Sequence, residues 1–160
     1  MFSNLLDFLR IGIVCLAFFF GNRIGYAGEV YDPVAQLHFM IPLIIGAIAG
    51  ISGLEGLFAG KKAAAAKGYI SDGNYQRQSA IALLSYAVIA ILVWFFNWGI
   101  RAELTILFTF LFFLTFSGIN HGIQAILHKN YKWQNINRPF IALILIAGLV
   151  HPILMALKSF

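Results

Sequence analysis

The stretch Leu104–Phe116 limits what this chain can become more than any other. It consists of Leu, Phe, Ile and Thr alone, and it runs into Ser117–His128 without a proline or a charge. A helix needs about 20 apolar residues to cross a bilayer. In lipid the backbone must also satisfy its own hydrogen bonds, as a helix does. The run therefore predicts a membrane helix over Leu104–His128. Along it Ser117, His121, Gln124 and His128 recur at i, i+4, i+7 and i+11, which at roughly 100° per residue places them on one stripe. Lipid offers these side chains no partner, so the stripe should face protein, a water-filled cavity or a ligand.

Four other stretches read the same way. Met1–Gly28 has a short apolar core, Ile11–Phe20, with Asp7 and Arg10 before it and Asn22 and Arg23 after. It reads as a retained first helix. The alternative is a signal peptide ending before Glu29, against which the bulky Tyr26 stands at the −3 position. Tyr31-Asp32-Pro33 marks a turn, and a second helix is expected over Gln36–Gly60. Its Gly46, Gly50, Gly53 and Gly60 share one face, with Gly56 at the edge, and such a face lets another helix approach closely. Glu55 falls on the opposite face, with Ile44, Ile48 and Ile51. The connection Lys61–Asn74 precedes a third helix, Tyr75–Trp98, whose Trp94 and Trp98 suit a membrane interface. Gly99–Glu103 reads as a tight return and Lys129–Asn137 as a polar loop. Pro139 then starts a fifth helix, interrupted at His151-Pro152 and ending near Lys158.

The expectation is an all-α, single-domain transmembrane bundle of five helices over residues 1–160, or four if residues 1–28 are removed. Composition agrees: 61% of residues are hydrophobic and 11% charged, against about 45–50% and about 25% in soluble domains. The net charge of +5 does not point to nucleic acid, because the basic residues lie in the connections, where topology and lipid headgroups account for them. With five spans, Arg10, Lys61, Lys62, Lys67, Arg77, Lys129, Lys132 and Arg138 fall on one side, leaving Arg23, Arg101 and Lys158 on the other. The positive-inside rule makes the first side, with the N-terminus, cytoplasmic. Cys15 is the only cysteine, which excludes an internal disulfide, and it reads as a packing residue.

Depth then groups the polar residues. At about 1.5 Å of rise per residue, Glu55, His121 and Gln124 lie about 6–10 Å inside the cytoplasmic ends of their helices. Arg77 and Gln78 open the third helix at the same level, and Asn120 adjoins His121. These six residues would form one layer, either an Arg77–Glu55 pair and a His–Gln network that hold helices together, or a binding site or proton relay. Towards the other face, His38 and His151 are the candidate haem ligands, although bridging between helices explains them more simply. His121 and His128, two turns apart, are too distant to share one ion. The Phe-rich run Phe108–Phe116 reads as lipid contact and packing.

Tyr75-Gln76-Arg77-Gln78, Asn120-His121-Gly122-Ile123-Gln124 and Asn135 together resemble a family of small, uncharacterised bacterial multi-helix membrane proteins. That family has an aromatic-Gln-x-Glu entry to the third helix, Gly-His-x-x-Gln in the fourth, and an asparagine in the following loop. The similarity covers roughly residues 50–155. Gln78 stands in place of the acid, Asn120 in place of the first glycine, and Leu54-Glu55 in place of a Gly-His pair. The resemblance implies a helical membrane fold in the bacterial cytoplasmic membrane and candidate residues, without an activity or cofactor.

The reading that follows is a small binding or accessory membrane protein, packed against itself or a larger membrane complex. Two others compete with it. One is a membrane enzyme or redox-linked protein acting on a quinone- or lipid-like substrate, with His121 as acid/base. The other is a small proton-coupled carrier relaying through Glu55 and His121.

Overall fold

A computed structural model describes residues 2–68 and 73–158, and every regular element among them is helical. In chain order these are α1 (Phe2–Gly25), α2 (Pro33–Ile45), a π-helical turn (Gly46–Gly50), α3 (Ile51–Lys67), α4 (Gly73–Phe95), α5 (Ile100–Leu127) and α6 (Trp133–Leu157). α2, the π turn and α3 run on as one rod that kinks at Ala59, whose φ of −128° and ψ of 17° are not helical. The described residues thus hold five stretches long and apolar enough to cross a membrane: Asn4–Gly25, Pro33–Ala65, Gly73–Phe95, Ile100–Leu127 and Asn135–Leu157.

Local chemistry sets the ends of these helices. Asp32 caps α2 by accepting a hydrogen bond from the Ala35 amide at 2.9 Å, with Pro33 at the first helical position, where its missing N–H costs nothing. α3 stops at Gly68, whose φ of +76° is the left-handed conformation glycine adopts freely. Gly99, at φ +87° and ψ 164°, reverses the chain between α4 and α5 in a region essentially restricted to glycine.

Side-chain contacts align the ends of the bundle. The first turns of α1 meet the second half of this rod through Arg10 and Glu55. Asn130 donates to the Gly68 carbonyl at 3.3 Å, joining the segments after α3 and α5. These features share one end with most of the lysines and arginines, the basic end. Residues 26–32, residues 96–99 and the C-terminus of α6 occupy the far end.

α2 is the central helix. Leu37, Met40, Ile44 and Ile45 are fully buried, together with Leu107 and Phe110 of α5 and Leu149 of α6. Outward-facing positions are also apolar, among them Phe8, Phe112 and Ile144. That distribution suits a hydrocarbon surround, because soluble proteins rarely expose contiguous apolar surface on this scale.

The glycine face is used inside the chain. A Cβ on Gly53 would lie 2.9 Å from the Ala80 carbonyl, and one on Gly56 would lie 2.8 Å from Ala80 Cβ; Gly50 faces Ala87 and Gly60 faces Gln76. α3 therefore lies directly on α4. Gly46, expected on this face, has nothing within 4 Å of an added Cβ. The π turn is the reason: its extra residue per turn shifts the phase of α3 relative to α2 and takes Gly46 off the stripe, while Gly53 and Gly56 keep their mutual spacing within α3 and both meet Ala80.

Several boundaries differ from expectation, among them α2, which starts at Pro33 and not Gln36, and α4, which ends at Phe95 and not Trp98. Residues 61–67 are helical, consistent with the high helix propensity of the Ala63–Ala66 run, while the turn expected at 71–74 falls partly on residues 69–72, outside the described residues. α5 starts at Ile100, so Arg101 and Glu103 belong to its first turn and not to a loop. α6 starts at Trp133 and runs through both Pro139 and Pro152 to Leu157, so the interruption expected at His151-Pro152 does not occur. Gly118 makes room for Pro139: a Cβ there would sit 3.2 Å from Pro139 Cα. Cys15, expected to pack, is exposed on α1.

Candidate functional site

At the basic end α4 and α5 stand apart, and α3, α4, α5 and α6 line an open cavity of about 700 Å³. The four helices line it unequally. α3 contributes a small-residue wall, Gly56, Gly60, Ala63 and Ala64, with Ser52 and Glu55 at its deeper part. α4 contributes Tyr75, Gln76 and Ser79 near the mouth, then Ala80, Leu83 and Tyr86 further in. α5 follows the same order, with Gln124, His121, Asn120 and Ser117 towards the mouth and Phe116, Phe113 and Phe112 deeper. Tyr86 closes the inner end against Phe113, with ring centroids 5.4 Å apart. From α6, Arg138 reaches the cavity.

Two arginines organise the polar part. The Arg138 guanidinium donates to His121 Nε2. A guanidinium has only donors, so His121 Nε2 is the acceptor in this pairing. Glu55 is 5% exposed, and its carboxylate accepts from Arg10 Nη2 at 2.6 Å. Arg10 also pairs with Asp7 one turn back, so one guanidinium joins two carboxylates and fastens α1 to α3. A buried charge persists only when paired in this way.

Of the six residues expected in one layer, Glu55, Asn120, His121 and Gln124 line the cavity. Arg77 and Gln78 are exposed on α4 and are not part of the lining. Their neighbours Gln76 and Ser79 take those places, and Glu55 pairs with Arg10, not Arg77. Ser117 joins the lining, whereas His128 is exposed at the end of α5. The aromatic wall comes from the run read as lipid contact: Phe112 and Phe116 are 67% and 57% exposed while lining the cavity, so they form its outer rim.

The far end carries a separate set of contacts. His38 Nδ1 lies 2.6 Å from Glu103 Oε1, and Glu103 is 1% exposed. Glu103 Oε2 is buried with no hydrogen-bond partner among the described residues. His151 packs against the Tyr31 ring, 5.1 Å between centroids. The two histidines named as haem candidates thus have different neighbours, Glu103 for one and Tyr31 for the other. Tyr31 donates to Gln36 Oε1 at 2.6 Å, and Gln36 Nε2 donates to Asn22 at 2.7 Å. Burial, then the nearby Tyr26 and Asp32, raise the Tyr31 hydroxyl above its ordinary pKa of 10.0. Among the described residues, no group of three His, Cys, Asp or Glu side chains is arranged to hold a metal ion.

Arg10, Arg138, Gln76, Ser79 and Glu103 were not among the expected site residues. Arg10 carried a usable signal, an ionisable residue within an apolar segment. Arg138 was hidden by starting the fifth helix at Pro139, and Glu103 by treating Gly99–Glu103 as a loop.

No curated protein and no solved structure matches the chain. Residues 11–159, nearly its whole length, match a single family, and the chain therefore belongs to the family of unknown function DUF6790.

Proposed function

We propose that this protein is a small multi-pass protein of the bacterial cytoplasmic membrane, with its basic end in the cytoplasm, and that its role is to bind a small or lipid-like molecule in the basic-end cavity. The observation that carries this reading is a cavity of about 700 Å³, within the range of about 300–1,000 Å³ typical of ligand sites, in which polar side chains from four helices face an aromatic wall. The Arg138–His121 contact favours binding over catalysis, because His121 Nε2 is already engaged as an acceptor. Arg10 similarly occupies Glu55, which weakens a proton relay through that carboxylate. The glycine face is covered by α4 and offers no support for a homo-oligomer.

Native mass spectrometry of the protein, extracted gently from its own membrane, tests the proposal. A stoichiometric bound molecule, lost in His121→Ala at an unchanged amount of folded protein, is the expected result. If the wild-type protein emerges bare and also takes up no amphiphile added in detergent, the binding reading fails.

A further inference from the structure

The cavity is not uniformly mixed, and its polarity changes along the bundle axis. On α4 the lining passes from Tyr75, Gln76 and Ser79 at the basic end to Leu83 and Tyr86 inside. On α5 it passes from Gln124, His121 and Asn120 to Phe116, Phe113 and Phe112. Both helices run the same gradient, polar at the mouth and apolar towards the middle of the bundle. From Gln124 to Phe113 is about 16 Å at the usual helical rise, enough to divide a ligand into a head and a chain. A bilayer lipid has the same order, head at the surface and tail towards the mid-plane.

Charge at the mouth narrows the head. Arg138 is in the lining, and Lys61, Lys62, Lys129 and Lys132 lie at the same end of the bundle. The lining has one carboxylate, Glu55, and it sits against the Arg10 guanidinium. Clustered positive charge of this kind attracts anionic headgroups, and guanidinium and amide donors suit phosphate or carboxylate oxygens. The rim formed by the exposed Phe112 and Phe116, whose rings stand 4.6 Å apart, opens the apolar part of the cavity sideways.

Building on the binding reading above, we infer that the ligand is an anionic amphiphile. Its phosphate or carboxylate lies among Arg138, His121 and Gln124, and its chain lies inward past Phe113 and Leu83, entering from the bilayer over Phe112 and Phe116.

The test uses purified full-length protein and amphiphiles sharing one palmitoyl chain: palmitate, lysophosphatidic acid and lysophosphatidylcholine, each titrated by native mass spectrometry. The anionic probes are expected to bind about tenfold more tightly than the zwitterionic one, the scale of one charge-assisted contact. Arg138→Gln should erase that preference. Comparing palmitate with lysophosphatidic acid, and both with the mass of any lipid co-purifying from the native membrane, separates a fatty acid from a phospholipid source. Palmitate with a photoreactive group at the tail should crosslink near residues 83–86 and 112–116. Leu83→Trp, in the apolar part of the lining, should weaken every probe alike, so the inference stays testable if Arg138→Gln does not fold. Equal binding of all three probes, or tail crosslinks at 120–124, overturns the inference while leaving a binding protein. Binding of none overturns the binding reading as well.

Discussion

Replacing Gly53 with valine tests how α3 is seated on α4. A Cβ at this position would lie 2.6 Å from Leu84 Cγ and 2.9 Å from the Ala80 carbonyl oxygen. The leucine can rotate, but the carbonyl belongs to the α4 backbone and yields only if the helices separate. Overpacking a fitted site costs about 1–3 kcal/mol, and valine recovers only about 0.3 kcal/mol of helix propensity relative to glycine. A net loss of about 1–2.5 kcal/mol follows. Gly46→Ala is the matched control, since nothing lies within 4 Å of its added Cβ and the loss of unfolded-state freedom favours alanine by about 0.5–1 kcal/mol. Unfolding purified protein with sodium dodecyl sulfate in mixed micelles, followed by circular dichroism, reads both. Gly53→Val should unfold at a lower detergent fraction than the wild type, and Gly46→Ala at an equal or higher one. A Gly53→Val midpoint equal to wild type would refute the close seating of α3 on α4, and a loss confined to Gly46→Ala would refute the phase shift assigned to the π turn.

Two further predictions concern charge. Arg10→Met leaves the Glu55 carboxylate buried without its cation and should cost about 3–5 kcal/mol in the same assay, with Arg10→Met/Glu55→Met restoring most of the loss; if the double variant is no better than the single, the pair is not the link between α1 and α3. Tyr31 has a pKa raised above 10.0 by burial and its neighbours, so its contribution to stability is complete below that value and fades as pH rises through the folded one. Ultraviolet titration should show a late-ionising step that disappears in Tyr31→Phe; a titration unchanged by the substitution would contradict the burial of this hydroxyl.

The five apolar stretches were readable because lipid leaves the backbone few options. Their grouping at one end followed from alternating direction and the placement of lysine and arginine. Side-chain facing was less accessible. The helical wheel through Gly46–Gly60 assumes a constant 100° step, which one π turn invalidates, so Gly46 does not share the face of Gly53 and Gly56. At the site, the stripe Ser117–His121–Gln124 was visible because α5 is regular there. Arg77 and Gln78 were placed by depth alone, and depth does not fix rotation: Gln76 and Ser79, at the same level, are the residues that turn inward. The Phe-rich run did not separate into rim and core in sequence, since rings on all sides of a helix show no direction until its neighbours are in place.

The reversal at residues 96–99 gives α4 and α5 a common fulcrum. They are held together there by Gly99 and diverge around the cavity at the basic end. α4 has 23 residues and is therefore about 34 Å long, so a rotation of about 5° at the turn displaces its basic end by about 3 Å. At Tyr86, about 14 Å from the turn, the same rotation moves the wall by only about 1 Å, so a small adjustment in a short turn widens the mouth and leaves the inner end nearly fixed. The Asn130–Gly68 bond, on neither arm of this lever, joins the segments after α3 and α5 at the same end.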